Sequence, residues 1–218
     1  MKQRFFFTFT LLFVIVTFSA CTVQTEAGES TAPIQKTQAP VMSHPSQGEM
    51  VTIENASALL LTDDDGASAS MRTALLTPGH VYTAWWVIIN KPEACTERPC
   101  TATDLLSNTE AVEGDVGYAD GLVADDRGTG NFAAYLPVGD LTDHWFGNGL
   151  TNPRGAEIHL VIHDHGPVIP EQAANMLMTF RGGCTDGSLA PVFPDFTKEF
   201  GQVGNNTCKL VQVVMFEQ

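Results

Sequence analysis

The stretch Ala156-Glu157-Ile158-His159-Leu160-Val161-Ile162-His163-Asp164-His165 sets the fold class. Ile158, Leu160 and Ile162 share one parity; Glu157, His159, Val161, His163 and His165 share the other. A β-strand sends successive side chains to opposite faces. The first set therefore reads as a core stripe and the second as a solvated outer face. The same texture recurs between Gly, Pro, Asn and Asp breaks. Ser57–Thr62 stops at Asp63-Asp64-Asp65-Gly66, Ala69–Leu76 at Pro78-Gly79, and Val81–Asn90 before Pro92. Asp115–Ala124 and Asn131–Val138 flank the loop from Asp125 to Gly130, and Cys208–Phe216 closes the series. Glu171–Thr179 alone has a helical pattern. About seven short strands separated by turn signals predict an all-β fold. The expected form is an antiparallel β-sandwich, immunoglobulin-like or similar, with at most one short helix.

Composition narrows the function classes. The chain has 218 residues, 44% hydrophobic, with ordinary Gly and Pro, which excludes collagen, coiled coil and wholesale disorder. After residue 20 no apolar run is long enough to span a bilayer as a helix. The formal net charge is −14, and setting aside Lys2 and Arg4 with a signal segment leaves −16. Such a surface repels phosphate, so nucleic acid is not an expected partner.

The N-terminus predicts export. Lys2 and Arg4 precede a 14-residue apolar run, Phe5–Phe18, which is the length of a signal peptide core. Phe18-Ser19-Ala20-Cys21 resembles a bacterial lipobox, with Phe18 where Leu is usual. The resemblance implies cleavage after residue 20, acylation of Cys21 and attachment to the cell envelope, at the outer membrane or cell surface. Two or more acyl chains, at about 0.8 kcal/mol per buried methylene, hold where one is marginal. Residues 22–49 are rich in Thr, Gln, Ser, Pro and Ala and read as a flexible tether carrying a solvated His44. As coil they span about 30 Å. Residues 50–218 are then the single folded domain.

Beyond Cys21, four cysteines remain, Cys95, Cys100, Cys184 and Cys208, an even number for an exported domain. Of three possible pairings the favoured one is Cys95–Cys100 with Cys184–Cys208. The second closes 25 residues, worth roughly 3 kcal/mol by loop entropy. Cys-x4-Cys is not the Cys-x-x-Cys of a thiol oxidoreductase.

Chemistry has one candidate constellation. Side chains two apart on a strand lie ~6.5 Å apart, so His163 and His165 could grip one copper or zinc ion, whereas His159 and His163 are ~13 Å apart. Further ligands would come from His80, Asp143 or His144. The alternative is a solvated strand face, its histidines bonding backbone or capping the Gly166-Pro167 turn. Three clustered imidazoles would also repel on protonation. Trp85, Trp86 and Trp145 form a candidate sugar platform, although the adjacent pair must face opposite sides of one strand. The Asp-rich runs lack calcium-loop spacing and read as turns. The sequence has no nucleophile elbow, Walker loop or dinucleotide fingerprint.

Two segments carry a family resemblance. Pro78-Gly79-His80-Val81-Tyr82-Thr83-Ala84-Trp85-Trp86-Val87-Ile88-Ile89-Asn90, followed by Pro92 and Cys95, is one. The other runs Gly155-Ala156-Glu157-Ile158-His159-Leu160-Val161-Ile162-His163-Asp164-His165-Gly166-Pro167, reached from Asn131-Phe132 through Gly139-Asp140. Both resemble a family of secreted or lipid-anchored prokaryotic proteins to which no activity is attached. That family carries a basic residue other than His at 163, which implies that the two-histidine grip is not a family feature. His163-Asp164-His165-Gly166 is also similar to the His-x-His strand of copper/zinc superoxide dismutase, whose other ligands have no counterpart here. The expected protein is lipid-anchored and binds an envelope protein or glycan without catalysing a reaction. Its rivals are a copper or zinc protein and a carbohydrate-binding module.

Overall fold

The computed structural model describes residues 33–141 and 143–218. The signal segment 1–20, Cys21 and the start of the tether lie outside the described residues. Nine strands among the described residues form two antiparallel sheets. The four-stranded sheet has the order β1 (Gln35–Ala39), β3 (Ser57–Thr62), β4 (Gly66–Thr73), β7 (Gly130–Pro137). The five-stranded sheet has the order β2 (Met42–Ser43), β9 (Lys209–Phe216), β8 (Glu157–Pro167), β5 (His80–Ile89), β6 (Gly114–Val123).

One hydrophobic cluster draws on both sheets. Leu60, Met71, Phe132 and Leu136 come from the first; Trp86, Ile88, Ile158, Leu160, Ile162, Val214 and Phe216 come from the second. The even-numbered stripe of β8 is therefore core, as its parity requires. Each such side chain contributes roughly 1.5–3 kcal/mol on full burial.

The two sheets differ in what lies behind them. In β4 buried and exposed residues alternate, the mark of a sheet with one face in water. In β5 and β8 almost every residue is buried, so the five-stranded sheet is covered on both faces. This corrects the solvated face expected for Glu157, His159, His163 and His165. The cover is built from connections remote in sequence. One is the segment from Pro92 through α1 (Ala102–Ser107) and α2 (Thr109–Val112). Others are the loop around Trp145 and the stretch from α3 (Ala173–Met178) to Phe193. Gly121 admits α3 closely, since a Cβ there would lie 2.2 Å from the Leu177 carbonyl oxygen.

Three expectations are corrected. Among the described residues there are nine strands, not seven, and three short α-helices, not one. The third helix matches the expected site but is shorter, Ala173–Met178. The tether does not extend to residue 49, because β1 pairs with β3 and β2 with β9. Edge strands gain from backbone ladder bonds and need no apolar period, so Gln35-Lys36-Thr37-Gln38 gave no signal. Val41 nevertheless lies fully buried between them. His44 is half-buried, its N–H bonded to the Val211 carbonyl and its Nδ1 accepting from the Ser46 N–H. The first helix had a legible sign: Thr101 and Asp104 cap each other's backbone reciprocally. The disulfides are Cys95–Cys100 and Cys184–Cys208, with Cα separations of 5.6 and 5.4 Å.

Candidate functional site

Strand register lays out the covered face of the five-stranded sheet. His159 lies between Val87 of β5 and Met215 of β9, Val161 between Trp85 and Val213, and His163 between Thr83 and Leu210. A bulge between Ile162 and His163 skips Val211 on β9 and keeps Leu210, Val213 and Met215 on this face. Phe180, Leu189, Trp145 and Phe193 pack down on it beside the Cys184–Cys208 disulfide.

At one end sit His163 and His165, their ring centroids 4.4 Å apart. The nitrogens of His165 are both committed. Trp85 can only donate, and its Nε1–H donates to Thr83 Oγ1 at 2.8 Å. The Thr83 hydroxyl then donates to His165 Nε2 at 2.8 Å, and His165 Nδ1–H donates to the Gly182 carbonyl at 2.8 Å. This relay fixes a neutral imidazole protonated on Nδ1. Burial pushes His165 down to about 4, against the opposing influence of the Gly182 bond and the Asp164 charge. His163 stacks on Phe180, ring centroids 4.4 Å apart, and its buried Nδ1 has no hydrogen-bond partner among the described residues. Burial first, then the neighbouring His165 and His44, hold it well below its ordinary value.

The donor set does not suit copper or zinc in this form. The lone pair of His165 Nε2 is already taken by the Thr83 hydroxyl. His163, Cys184 and Cys208 place one ligand atom each within 4.8 Å of one another, but the two sulfurs are bonded together and are not thiolates. His159 is engaged elsewhere. His80 lies on the core side, its Nδ1 3.0 Å from Asp164 Oδ1. Asp143 and His144 belong to the loop leading into Trp145.

At the other end a buried carboxylate organises the face. Glu157 is fully buried. Its Oε1 accepts from the Cys100 N–H at 2.6 Å and from His159 Nε2–H at 2.7 Å, and its Oε2 accepts from Arg98 Nε–H at 3.3 Å. Burial alone would raise its carboxyl, but His159, the Cys100 N–H and Arg98 outweigh that and hold it below the usual range. The disulfide-closed loop 95–100 is thereby fastened to β8. Asp104 ties the same loop to α1, accepting from the N–H and hydroxyl of both Thr96 and Thr101.

Between these ends lies a cavity of about 680 Å³, open on one side. Val87, Val161, Leu210, Val213 and Met215 form its floor, and Trp85, Trp145, Phe180, Phe193, Leu105 and Leu106 its walls. His44, Arg98 and His159 reach its rim, whereas His163 and His165 do not line it. The tryptophans separate as parity requires. Trp86 is buried between the sheets. Trp85 faces the cavity with Trp145, ring centroids 6.1 Å apart and tilted by 47°. They are walls of a pocket, not an exposed platform.

Sequence reasoning passed over Arg98 and Asp115. Asp115 is fully buried, and its carboxylate accepts the N–H groups of Val116, Trp145, Phe146 and Gly149. That sets Trp145 over the sheet. A lone Asp at a strand start carries no local sign of such a role. No protein-family model matches this chain, and no curated protein matches it.

Proposed function

We propose that this chain is a non-catalytic binding protein that holds a small apolar ligand against the covered face of its five-stranded sheet. The carrying observation is the cavity itself. About 680 Å³ bounded mostly by aliphatic and aromatic side chains, with a few polar groups among them, is the size and character of a ligand site. The walls are held by buried polar bonds, Asp115 under Trp145 and Glu157 under the 95–100 loop, so the pocket is largely pre-formed. In this reading the fold is an immunoglobulin-like or similar sandwich. Acylation at Cys21 anchors it to the cell envelope, where an apolar ligand is at hand. The carbohydrate reading is weaker, because Trp85 is 5% exposed and offers little ring face to a sugar.

An apolar fluorophore such as N-phenyl-1-naphthylamine should bind near one per chain and brighten. Val161→Trp, which fills the floor, should cost at least about tenfold in affinity with the fold intact. A folded protein that leaves the dye dark, or binds it equally after Val161→Trp, overturns the reading. For the anchor, Cys21→Ser should move the exported chain from membranes to the soluble fraction. Retention on membranes after correct processing would refute acylation.

A further inference from the structure

The polar corner of the cavity points to one class of ligand. We propose that the site takes a monoanionic amphiphile, an apolar chain or ring body carrying one carboxylate, with the carboxylate at Arg98 and His159. This rests on the cavity reading above. Arg98 uses only its Nε–H on Glu157, and no hydrogen bond among the described residues engages its two terminal amines. Those amines keep the planar fork that matches a carboxylate. Its side chain is 41% exposed at the cavity rim, so a ligand reaches it without breaking the Glu157 bond. His159 is pinned by Glu157 through Nε2, which turns Nδ1 away from that carboxylate, and Nδ1 hydrogen-bonds nothing among the described residues. The two carboxyl oxygens accept from the two terminal amines of Arg98, with His159 beside them in the cavity lining. The apolar body then lies along Val161, Val213 and Met215 toward Trp85 and Phe180.

Charge selects among head groups. An ammonium would meet Arg98 and forfeit the fork. A hydroxyl brings one neutral oxygen where the fork holds two charged ones. A phosphate monoester brings about two negative charges to a corner already holding Glu157 and Glu97, in a chain of net charge −14. A single carboxylate leaves the Arg98 guanidinium bridging two carboxylates.

The test is displacement of N-phenyl-1-naphthylamine from the full chain carrying Cys21→Ser, below micellar concentration. Dodecanoate, dodecanol, dodecylamine and dodecyl phosphate are compared. Dodecanoate should displace the dye at concentrations at least about tenfold lower than dodecanol, the worth of one charge-assisted pair. Arg98→Met should abolish that preference and leave dodecanol within about twofold. Arg98→Lys keeps the charge without the fork and should retain part of the preference, which covers the case in which Arg98→Met does not fold. Equal displacement by dodecanol, a better displacement by the amine or phosphate, or a preference that survives Arg98→Met overturns the proposal while leaving the cavity reading intact. Failure of the dye to bind at all defeats the cavity reading instead.

Discussion

Glu157→Ala should destabilise the protein by about 3 kcal/mol and abolish dye binding at the cavity. The carboxylate is fully buried and accepts from three donors, Cys100 N–H, His159 Nε2–H and Arg98 Nε–H. Removing it strands a buried amide and a buried imidazole N–H, each costing about 1–3 kcal/mol. Arg98 is partly open to water and can be rehydrated, which keeps the total near the lower end for a broken buried pair. The loop 95–100 also loses its attachment to β8, so the cavity wall from Arg98 to Leu106 should loosen. Glu157→Gln recovers little, because an amide offers one acceptor where two are used and sets a new donor against existing ones. The measurement is a urea titration at neutral pH with dye binding alongside. A loss under about 1 kcal/mol, well short of a broken buried pair, would show that the carboxylate is dispensable.

That carboxylate also shows where the sequence stops being legible. Strands β5, β8 and β9 announce themselves because apolar residues recur at period two and pack between the sheets. The alternate residues of β8 are polar, and polarity at alternate positions reads as solvent. Here it means a second buried layer, in which each polar group meets a partner from elsewhere in the chain. Glu157 meets Cys100, His165 meets Thr83 and Gly182, and Asp115 meets Trp145, Phe146 and Gly149. No window of consecutive residues contains those pairs. β1 and β2 were hidden for the opposite reason. Their stability comes from ladder bonds to β3 and β9, which leave no mark on side-chain pattern. Cys184–Cys208 was readable as a pair, but its placement beside Phe180 and His163, in the cover of the five-stranded sheet, was not.

Acid should weaken the fold steeply between pH 6.5 and about 4, and His165 alone should account for about 3 kcal/mol of the loss. Its imidazole is lowered in the folded state to about 4, while the unfolded chain titrates at 6.5. Its contribution to stability is therefore fully present above pH 6.5. As pH falls below 6.5 the unfolded chain takes the proton first, and the contribution disappears by about 4. His163, also held well below its ordinary value by burial, pulls the same way. His44, pushed down to about 4 by burial, adds less because it is partly open to water. The groups facing His165 are the ring of His163, the hydroxyl of Thr83, the carbonyl of Gly182 and the sulfur of Cys184, with Asp164 nearby as an opposing charge. Glu157, whose carboxyl is lowered, adds a further loss below its ordinary value of 4.5. Protonation of His165 Nε2 turns it from acceptor to donor, so the Thr83 hydroxyl hydrogen loses its partner while Trp85 still donates to its oxygen. The wall at Trp85 should therefore loosen, and the dye should leave, as pH approaches about 4, where the folded imidazole itself takes the proton. Urea midpoints measured from pH 7.5 to 4 should fall with a slope of at least one proton, about 1.4 kcal/mol per pH unit. His165→Gln, which can accept from Thr83 and donate to Gly182 without titrating, should flatten that slope by about one proton. Stability that stays level from pH 7 to 5, or a slope unchanged by His165→Gln, would mean that this imidazole is not held neutral by the relay.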